Sequence, residues 1–563
     1  LNFKTYTTCL IFILYASILC SQNLQLKVIG FDDNETSILS QYNTKTTFDS
    51  YEELKLNVSH IENTLSQNGY INNQLLSITH SKNNLYIAQI ALKNKIENVV
   101  LYINPTFQSK NYFSKLNIDN LKNNTFEVPY LALEKLLIKY NKIISETGQP
   151  FSTLQLSDVK QKNNTTLSAN LIITTQEKNR QLDKIIIKGY DKLPKSYLKR
   201  FLKIQKNKTF NLSSINKKTL QLNNLSFASQ TKPAEILFTK DSTQLYLYLK
   251  KTPSNNFDGF IGFTTNEQTN KLEFNGYLNL QLVNNLNYGE SLYLDYKSDE
   301  SEQKNFNLIA NLPYLFKTPI GLEASLNITK RDSSFINTKQ KASLFYQLND
   351  KTSLYAGIET AESSHLSDNL ENIEDYSSNF LKLRYQFRQL QNEAPLFKIK
   401  TEINTEFGVG KRQTTSNNQN QNFIDFNGSH IFNLNNKNSF YIKSIIQLIL
   451  SENYLENELF RFGGVNTIRG FTENSLIANS IYILNTEYRY KLSNSIFVNS
   501  VIDIARFKND NLNQKENLYG FGFGFGILTN AGLLRFIYAN GKTEQTPFNF
   551  SNSKIHISLK ATF

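Results

Sequence analysis

The chain has 563 residues, a formal net charge of +13, two cysteines and five histidines. So few thiols and imidazoles exclude a cysteine- or histidine-rich metal centre, and the lysines are scattered among asparagines and isoleucines rather than gathered on one stripe, which excludes a nucleic-acid face; no nucleic-acid partner and no cofactor is expected. Both cysteines, Cys9 and Cys20, lie in the first twenty residues, so an exported chain of this kind relies on backbone pairing or a large core rather than disulfides.

The opening "LNFKTYTTCLIFILYASILCSQN" has Lys4 ahead of a short apolar run and then small or polar residues. That is the pattern of a secretory signal peptide, assigned to 1–21, and it is too short to anchor in a bilayer. Acylation of Cys20 is the competing reading, opposed by the bulky Leu19; the cleavage point stays open.

From 24 to 252 the chain reads as three mixed modules, 22–96, 97–178 and 179–252. In the third, "LDKIIIKGY" predicts a strand, "PKSYLKRFLKI" and "NLSSINKKTLQLNNL" predict helices, and "AEILFTKD" and "TQLYLYLKK" predict returning strands. The first offers "LQLKVIGF", a helix over about 51 to 67, "NQLLSITHS" and "NLYIAQIALK"; the second offers "ENVVLYI", the helical "YLALEKLLIKYNKIISETG", "STLQLSDVKQ" and "LSANLIITT". Repeats of this length are too long for a solenoid and predict a string of small α+β domains.

Beyond 253 helical periodicity gives way to alternation. In "GLEASLNITKRD", Leu322, Ala324, Leu326 and Ile328 share one face, and Glu323, Ser325, Asn327 and Thr329 take the other. About sixteen such segments fill 253–563, many near the length a tilted strand needs to cross a bilayer. The connections after even segments are tight ("LNDK", "NLNNKN", "LSNS", "LTNAG"), whereas those after odd segments include "ESSHLSDNLENIED", "RQTTSNNQNQ" and the longest, about 452 to 477. Short turns on one rim and long loops on the other predict a 16-stranded antiparallel transmembrane β-barrel, for which a soluble sandwich gives no reason. With a mean hydropathy of −0.41, a closed sheet is the way left to satisfy every backbone group in lipid. The last segment, "KIHISLKATF", puts Ile555, Ile557, Leu559, Ala561 and Phe563 on the lipid face.

The longest connection holds "RFGGVNTIRGF", Arg461 to Phe471. A loop merely bathed in water has little need of paired glycines or of an Ile-Arg-Gly-Phe quartet; one folded into the barrel does, with Ile468 and Phe471 against the wall and Gly470 at the turn. An arginine brought inside needs a partner. In "YILNTEYRYKL", Tyr482, Leu484, Tyr488 and Tyr490 face lipid, so Glu487 and Arg489 point inward; in "FVNSVIDIARF", Asp503 faces the lumen; in "YGFGFGFGIL", Gly520, Gly522, Gly524 and Gly526 offer an inner wall free of side chains. Arg469 is therefore expected to reach Asp503 or Glu487 and pin the loop.

"GGVNTIRGF" resembles the (V/I)RG(F/Y) loop motif of the BamA/TamA superfamily of outer-membrane assembly barrels. "LNTEYRYKL" resembles the family's following Glu-x-Arg strand, "VIDIA" its inward aspartate strand with Ala505 where glycine is usual, and "GFGFGILTNAGLLRFIYA" its penultimate hairpin. The three modules are similar to POTRA domains. The resemblance implies a sixteen-stranded barrel with a weak first-to-last seam and POTRA domains in the periplasm. It makes Arg469 the loop anchor, Asp503 and Glu487 its partners, and Phe563 the end of the closing strand. It also implies an assembly protein, not an enzyme, that inserts unfolded outer-membrane or secreted clients, with an accessory protein on the POTRA domains as a further partner. The alternative is a two-partner secretion transporter with a dedicated passenger; such proteins usually carry two POTRA domains and a plug helix rather than three modules. No Gly-x-Ser-x-Gly or His-Glu-x-x-His occurs in the chain.

Overall fold

The computed structural model describes residues 23–560 apart from 109–112, 119–120, 266–271, 299–302, 332–333, 367–372, 392–393, 395, 530–531, 546–548 and 550–552. The expected signal peptide with Cys9 and Cys20, the chain-terminal Phe563, and Ala561 lie outside the described residues. The chain separates into two compact units: Leu1–Leu182 with Asn207–Ser213, and Asp183–Lys206 with Ser214–Phe563.

The first unit contains two four-stranded sheets. One has β1 (Leu24–Ile29), β2 (Thr47–Phe48), β3 (Gln74–His80) and β4 (Leu85–Ala91) in the order β2-β1-β4-β3. Over it lies the helix Tyr51–Gln67, which begins where Ser50 accepts a hydrogen bond from the Glu53 N–H (3.2 Å) and Glu53 in return accepts from the Asp49 N–H (3.2 Å). Leu54, Val58, Ile61 and Leu65 recur on the helical repeat and are all buried with Leu26, Val28 and Ile90. Each such side chain contributes about 1.5–3 kcal/mol of transfer free energy. The other sheet has β5 (Asn98–Ile103), β6 (Thr125–Pro129), β7 (Thr153–Gln161) and β8 (Thr166–Thr174) in the order β6-β5-β8-β7, packed on the helix Tyr130–Glu146 through Tyr140 and Ile144. The helix Asp33–Ser40 and the flanking strands β2 and β6 were not expected from the sequence, because all three are too short to show a period.

The second unit begins with a three-stranded sheet, β9 (Lys184–Lys188), β10 (Ala228–Phe238) and β11 (Thr243–Lys251), in the order β10-β11-β9. The helix expected over "PKSYLKRFLKI" is a single π-helical turn, Tyr197–Phe201, and the second expected helix is Leu212–Thr219 followed by a 3₁₀ turn to Asn224. Three bulky side chains in the π turn, Tyr197, Leu198 and Phe201, are all buried; their packing, rather than propensity, sets that geometry.

A 16-stranded antiparallel sheet follows. Its first half is β12 (Asn256–Thr265), β13 (Leu272–Val283), β14 (Ser291–Ser298), β15 (Lys304–Leu312), β16 (Ile320–Arg331), β17 (Phe335–Gln347), β18 (Thr352–His365) and β19 (Tyr376–Leu390). Then come β20 (Ile399–Thr414), β21 (Asn418–Asn433) and β22 (Asn438–Leu450). A small hairpin, β23 (Phe460–Phe462) with β24 (Leu476–Ala478), stands apart as its own two-stranded sheet. The large sheet resumes with β25 (Ser480–Lys491), β26 (Ile496–Asn509), β27 (Gln514–Thr529), β28 (Gly532–Thr543) and β29 (Ser553–Lys560). Every strand pairs with its sequence neighbour in this sheet, and among the described residues β12 and β29 share no ladder.

Alternation sorts the side chains as read: Phe407, Val409, Tyr482, Leu484, Phe521, Phe523, Ile555 and Ile557 are exposed on the outer face, while the inner face carries paired charges. Lys382 reaches Glu359 at 2.7 Å and Glu406 at 3.1 Å, and Arg384 reaches Glu323 at 2.8 Å. One connection differs from expectation. "RQTTSNNQNQ" is not a long loop, because β20 runs to Thr414 and β21 starts at Asn418; its polar residues satisfy their backbone in a ladder that extends the two strands, and polarity alone had made it look like coil.

The third module rests on the short-turn rim. Tyr197 donates to Gly289 O at 3.1 Å and its ring meets Tyr314 edge-on at 5.1 Å. Asn284 donates to the Tyr190 hydroxyl (2.6 Å), Arg200 to Lys317 O (3.1 Å) and Lys203 to Leu348 O (2.9 Å). These partners sit in the turns after β13, β15 and β17, the second, fourth and sixth strands of the large sheet, so the module lies at the short-turn end. Burial holds the Tyr197 phenol well above its ordinary pKa, so it remains a donor.

Candidate functional site

The long connection between β22 and β25 runs back into the barrel. Its root is held by Glu458, which accepts from Arg412 and from Gln421 (3.0 Å), and by Asn457, which donates to Ser363 Oγ (2.7 Å) and Glu374 O (2.8 Å). The hairpin β23–β24 then carries it over the inner wall. Phe462, Ile468, Ala478, Ile481, Ile483, Ala505, Phe507 and Leu518 bury one another there, with Phe471 packed against them. Ile468 is 0% exposed, so the apolar residues at either end of the Ile-Arg-Gly-Phe quartet both face protein.

Between them Arg469 is 3% exposed, beside Asp503 at 0% and Glu487 at 2%. The register pairs Asn485 with Asp503; because side chains alternate, Asn485, Glu487 and Asp503 all emerge on the inner face. Arg469 Nε donates to Asp503 Oδ2 at 2.7 Å while Nη2 donates to Oδ1, a two-pronged grip on one carboxylate, and the Arg469 backbone N–H adds a third bond to Oδ2 at 3.0 Å. Nη1 donates to Glu487 Oε1. Glu487 is shared, accepting also from Arg489 Nε (2.7 Å) and Arg535 Nη2 (2.9 Å). Arg489 in turn lies over the Tyr441 ring at 3.9 Å. Three guanidiniums thus surround two carboxylates, and each buried acid has a cationic partner, the condition under which such burial is tolerated.

The backbone at the tip explains the glycines. Gly470 has φ +91°, a left-handed conformation, and a Cβ on Gly541 of β28 would come within 2.5 Å of Gly470 O. A Cβ on Gly520 would come within 2.4 Å of Arg469 O. Of the expected glycine wall, Gly520 is the member that meets the loop; a Cβ on Gly522 or Gly524 would strike the neighbouring β28 backbone, and one on Gly526 the Phe497 ring. The Gly470 N–H donates to His556 Nε2 on β29 at 3.3 Å, which links the tip to the last strand.

The structure therefore brings Ile468, Arg469, Gly470, Phe471, Glu487 and Asp503 together, with Phe563 outside the described residues. Sequence reasoning missed Arg535, Gly541, His556, Arg412 and Glu458. Arg535 alternates with Leu534 and Phe536 and was within reach of a period-two reading; Glu458 lies in a loop with no period at all.

Three comparisons bear on this arrangement. Residues 326–527 match the family of the haemolysin secretion/activation proteins ShlB/FhaC/HecB. CdiB from Acinetobacter baumannii is 16% identical with a TM-score of 0.50, over 90% of this chain and 95% of its own. CdiB from Escherichia coli is 14% identical with a TM-score of 0.50, over 83% of this chain and 89% of its own. BamA from Haemophilus ducreyi lacking POTRA domains 1–3 is 15% identical with a TM-score of 0.49, over 82% of this chain and 98% of its own. No curated relative matches the sequence. With a sixteen-stranded sheet and α+β modules before it, the chain shares the fold of the two CdiB structures, and the stretch that matches the ShlB/FhaC/HecB family runs from β16 to β27 within that sheet.

Proposed function

We propose that the protein assembles other polypeptides into the outer membrane, receiving unfolded clients through three POTRA-like domains at 22–96, 97–178 and 179–252 and passing them to the barrel seam. The observation that carries this reading is the boundary between β12 and β29, which share no ladder among the described residues. A strand edge at membrane depth is a template on which a client strand satisfies its backbone until it closes on itself. In this reading the Arg469 cluster pins the loop against β25–β28 and fixes that side of the seam, with Asp503 and Glu487 as the partners of the anchor. The test reconstitutes the protein in liposomes and follows folding of an unfolded client barrel by its shift on unheated gels. Acceleration over empty liposomes is expected; an unchanged rate sinks the proposal.

A second reading, export of a dedicated passenger, is favoured by the match of residues 326–527 to the haemolysin secretion/activation family. Depleting the protein in its host separates the two: broad loss of outer-membrane barrels supports assembly, and loss of a single exported protein supports dedicated secretion.

A further inference from the structure

The outer face of the large sheet changes character where β26, β27 and β28 reach the long-loop rim. The chain fixes that rim: β25 starts there, at the end of the long connection, so β26 ends there and β27 begins there. Outward side chains on β26 run Ile502, Ile504, Arg506 and Lys508, all four exposed. In register beside them on β27 stand Phe521, Tyr519, Asn517 and Lys515, and β28 sets Lys542 beside Tyr519. Apolar rows therefore give way to cations within one step of the ladder, on adjacent strands and at one level.

Two carboxylates share this patch: Asp510, which pairs with Lys508 at 2.6 Å, and Glu544, which accepts from Asn517. Glu516 alternates to the inner face, in register with Phe507. Arg506, Lys515 and Lys542 outnumber Glu544, so the patch stays cationic. Arg506 and Lys515 are diagonal neighbours across the ladder, about 7–8 Å apart at their roots, close enough for both long side chains to converge on one group. On the strands that precede them, outward positions at this rim are neutral: Asn420 and Asn422 on β21, Leu448 and Leu450 on β22, Ser480 on β25. The positive charge is thus local to β26–β28 rather than a collar common to these strands.

We propose that the outward face of β26–β28 at this rim binds a phosphorylated lipid of the outer leaflet, its phosphate held by Arg506, Lys515 and Lys542 and its acyl chains laid along Ile502, Ile504 and Phe521. This rests on the reading of the sheet as an outer-membrane barrel and is independent of what clients it handles. A guanidinium grips phosphate at two oxygens, and ammonium groups add point charges. Cations and apolar surface follow one another along single strands, so the fitting ligand joins an anion to hydrocarbon in one molecule; a soluble anion would use only the upper half. The inner faces of the same strands meet the loop tip through Asp503, Gly520 and Gly541, which places the lipid directly behind the wall that holds the loop.

The chain contains no tryptophan, so Phe521→Trp introduces a single fluorophore on the apolar side of the patch. The full-length protein is placed in phosphatidylcholine nanodiscs with a minor fraction of a diphosphorylated glucosamine lipid carrying brominated acyl chains, which quench tryptophan on contact, or of the same lipid with its phosphates removed. Half-maximal quenching is expected at a mole fraction at least tenfold lower for the phosphorylated lipid. Each basic residue near a charged membrane surface contributes about fivefold, so Arg506→Gln/Lys515→Gln/Lys542→Gln is expected to lose at least tenfold of that preference. Removing three exposed lysines of the short turns, Lys317→Gln/Lys351→Gln/Lys437→Gln, takes away the same charge and is expected to change it less than twofold. Equal quenching by the two lipids overturns the proposal, and so does an equal loss in both triple variants. Displacement of the lipid by excess inorganic phosphate would show a site for soluble anions and overturns it as well. The comparison of the two lipids on the otherwise unaltered protein decides the outcome even where a triple variant fails to fold. Client folding is followed on the same nanodiscs: selective quenching without acceleration keeps this site and removes the assembly reading, whereas acceleration without selective quenching does the reverse.

Discussion

Replacing Arg469 with alanine removes the partner that Asp503 depends on and one of three that Glu487 uses. Asp503 is fully buried and takes both prongs of the guanidinium, while Glu487 keeps Arg489 and Arg535. Leaving one member of a buried pair uncompensated costs about 3–5 kcal/mol, and at 1.4 kcal/mol per power of ten the loop's released state rises by roughly two to four powers of ten. The assay places Ile468→Cys, whose position is fully buried, in a chain with Cys9 and Cys20 replaced by serine, and follows maleimide labelling in proteoliposomes. Arg469→Ala is expected to accelerate labelling by at least ~10²-fold. Adding Asp503→Asn to it should recover at least tenfold, because a neutral amide no longer carries a stranded charge. Arg469→Lys should fall between, since one ammonium cannot grip the edge of Asp503 and reach Glu487 together. Labelling of Arg469→Ala within about threefold of the parent, or an additive loss in the double variant, would show that this charge cluster does not hold the loop.

Gly541→Ala sets a methyl within 2.5 Å of the Gly470 carbonyl and is expected to speed the same labelling, whereas Gly408→Ala, whose Cβ meets the Lys382 side chain at 3.2 Å and Phe423 Cβ at 3.3 Å and no backbone, should not. Arg412→Ala strands Glu458 at the loop root, a loss of about 3–5 kcal/mol read as new protease cleavage between 452 and 457. Tyr197→Phe deletes one hydrogen bond to Gly289 and should cost about 1 kcal/mol. Tyr197→Ala, which also empties the ring's place against Phe227 and Tyr314, should cost about 3–5 kcal/mol; both are read as protease sensitivity of the link at 252–255. Ser50→Ala removes a helix cap for about 1 kcal/mol, visible as faster amide exchange over Tyr51–Leu54 in the intact protein.

The strands of the barrel were legible because lipid on one side and water on the other impose a period of two, which survives even in "GFGFGFG". For the same reason Glu487 and Asp503 could be assigned to the inner face before any coordinates, and Ile468 to a wall. What the pattern could not carry was distance. Alternation puts Arg489 and Arg535 inside without saying that both converge on the carboxylate Arg469 also holds, and nothing local marks His556 as the acceptor for Gly470. The opposite failure occurred at "RQTTSNNQNQ", where residues of loop-like polarity are strand because they continue a ladder already begun. In the modules, β2 and β6 are two and five residues long, shorter than any period can be counted over, and "PKSYLKRFLKI" promised a helix from its spacing while three buried bulky residues wind it into one wide turn.

The contacts of the third module and those of the loop fall on two separate arcs of the barrel wall, one on each side of β12. The module grips the turns after β13, β15 and β17, and the tip of the loop grips β25 to β29. Each arc is stiffened by its own clamp, and the join of β12 to β29 falls between them, where neither clamp resists separation. Among the described residues no ladder joins β12 to β29, so lateral strain on the wall is expected to concentrate there, at a place fixed by the bracing rather than by the weakness of any single strand.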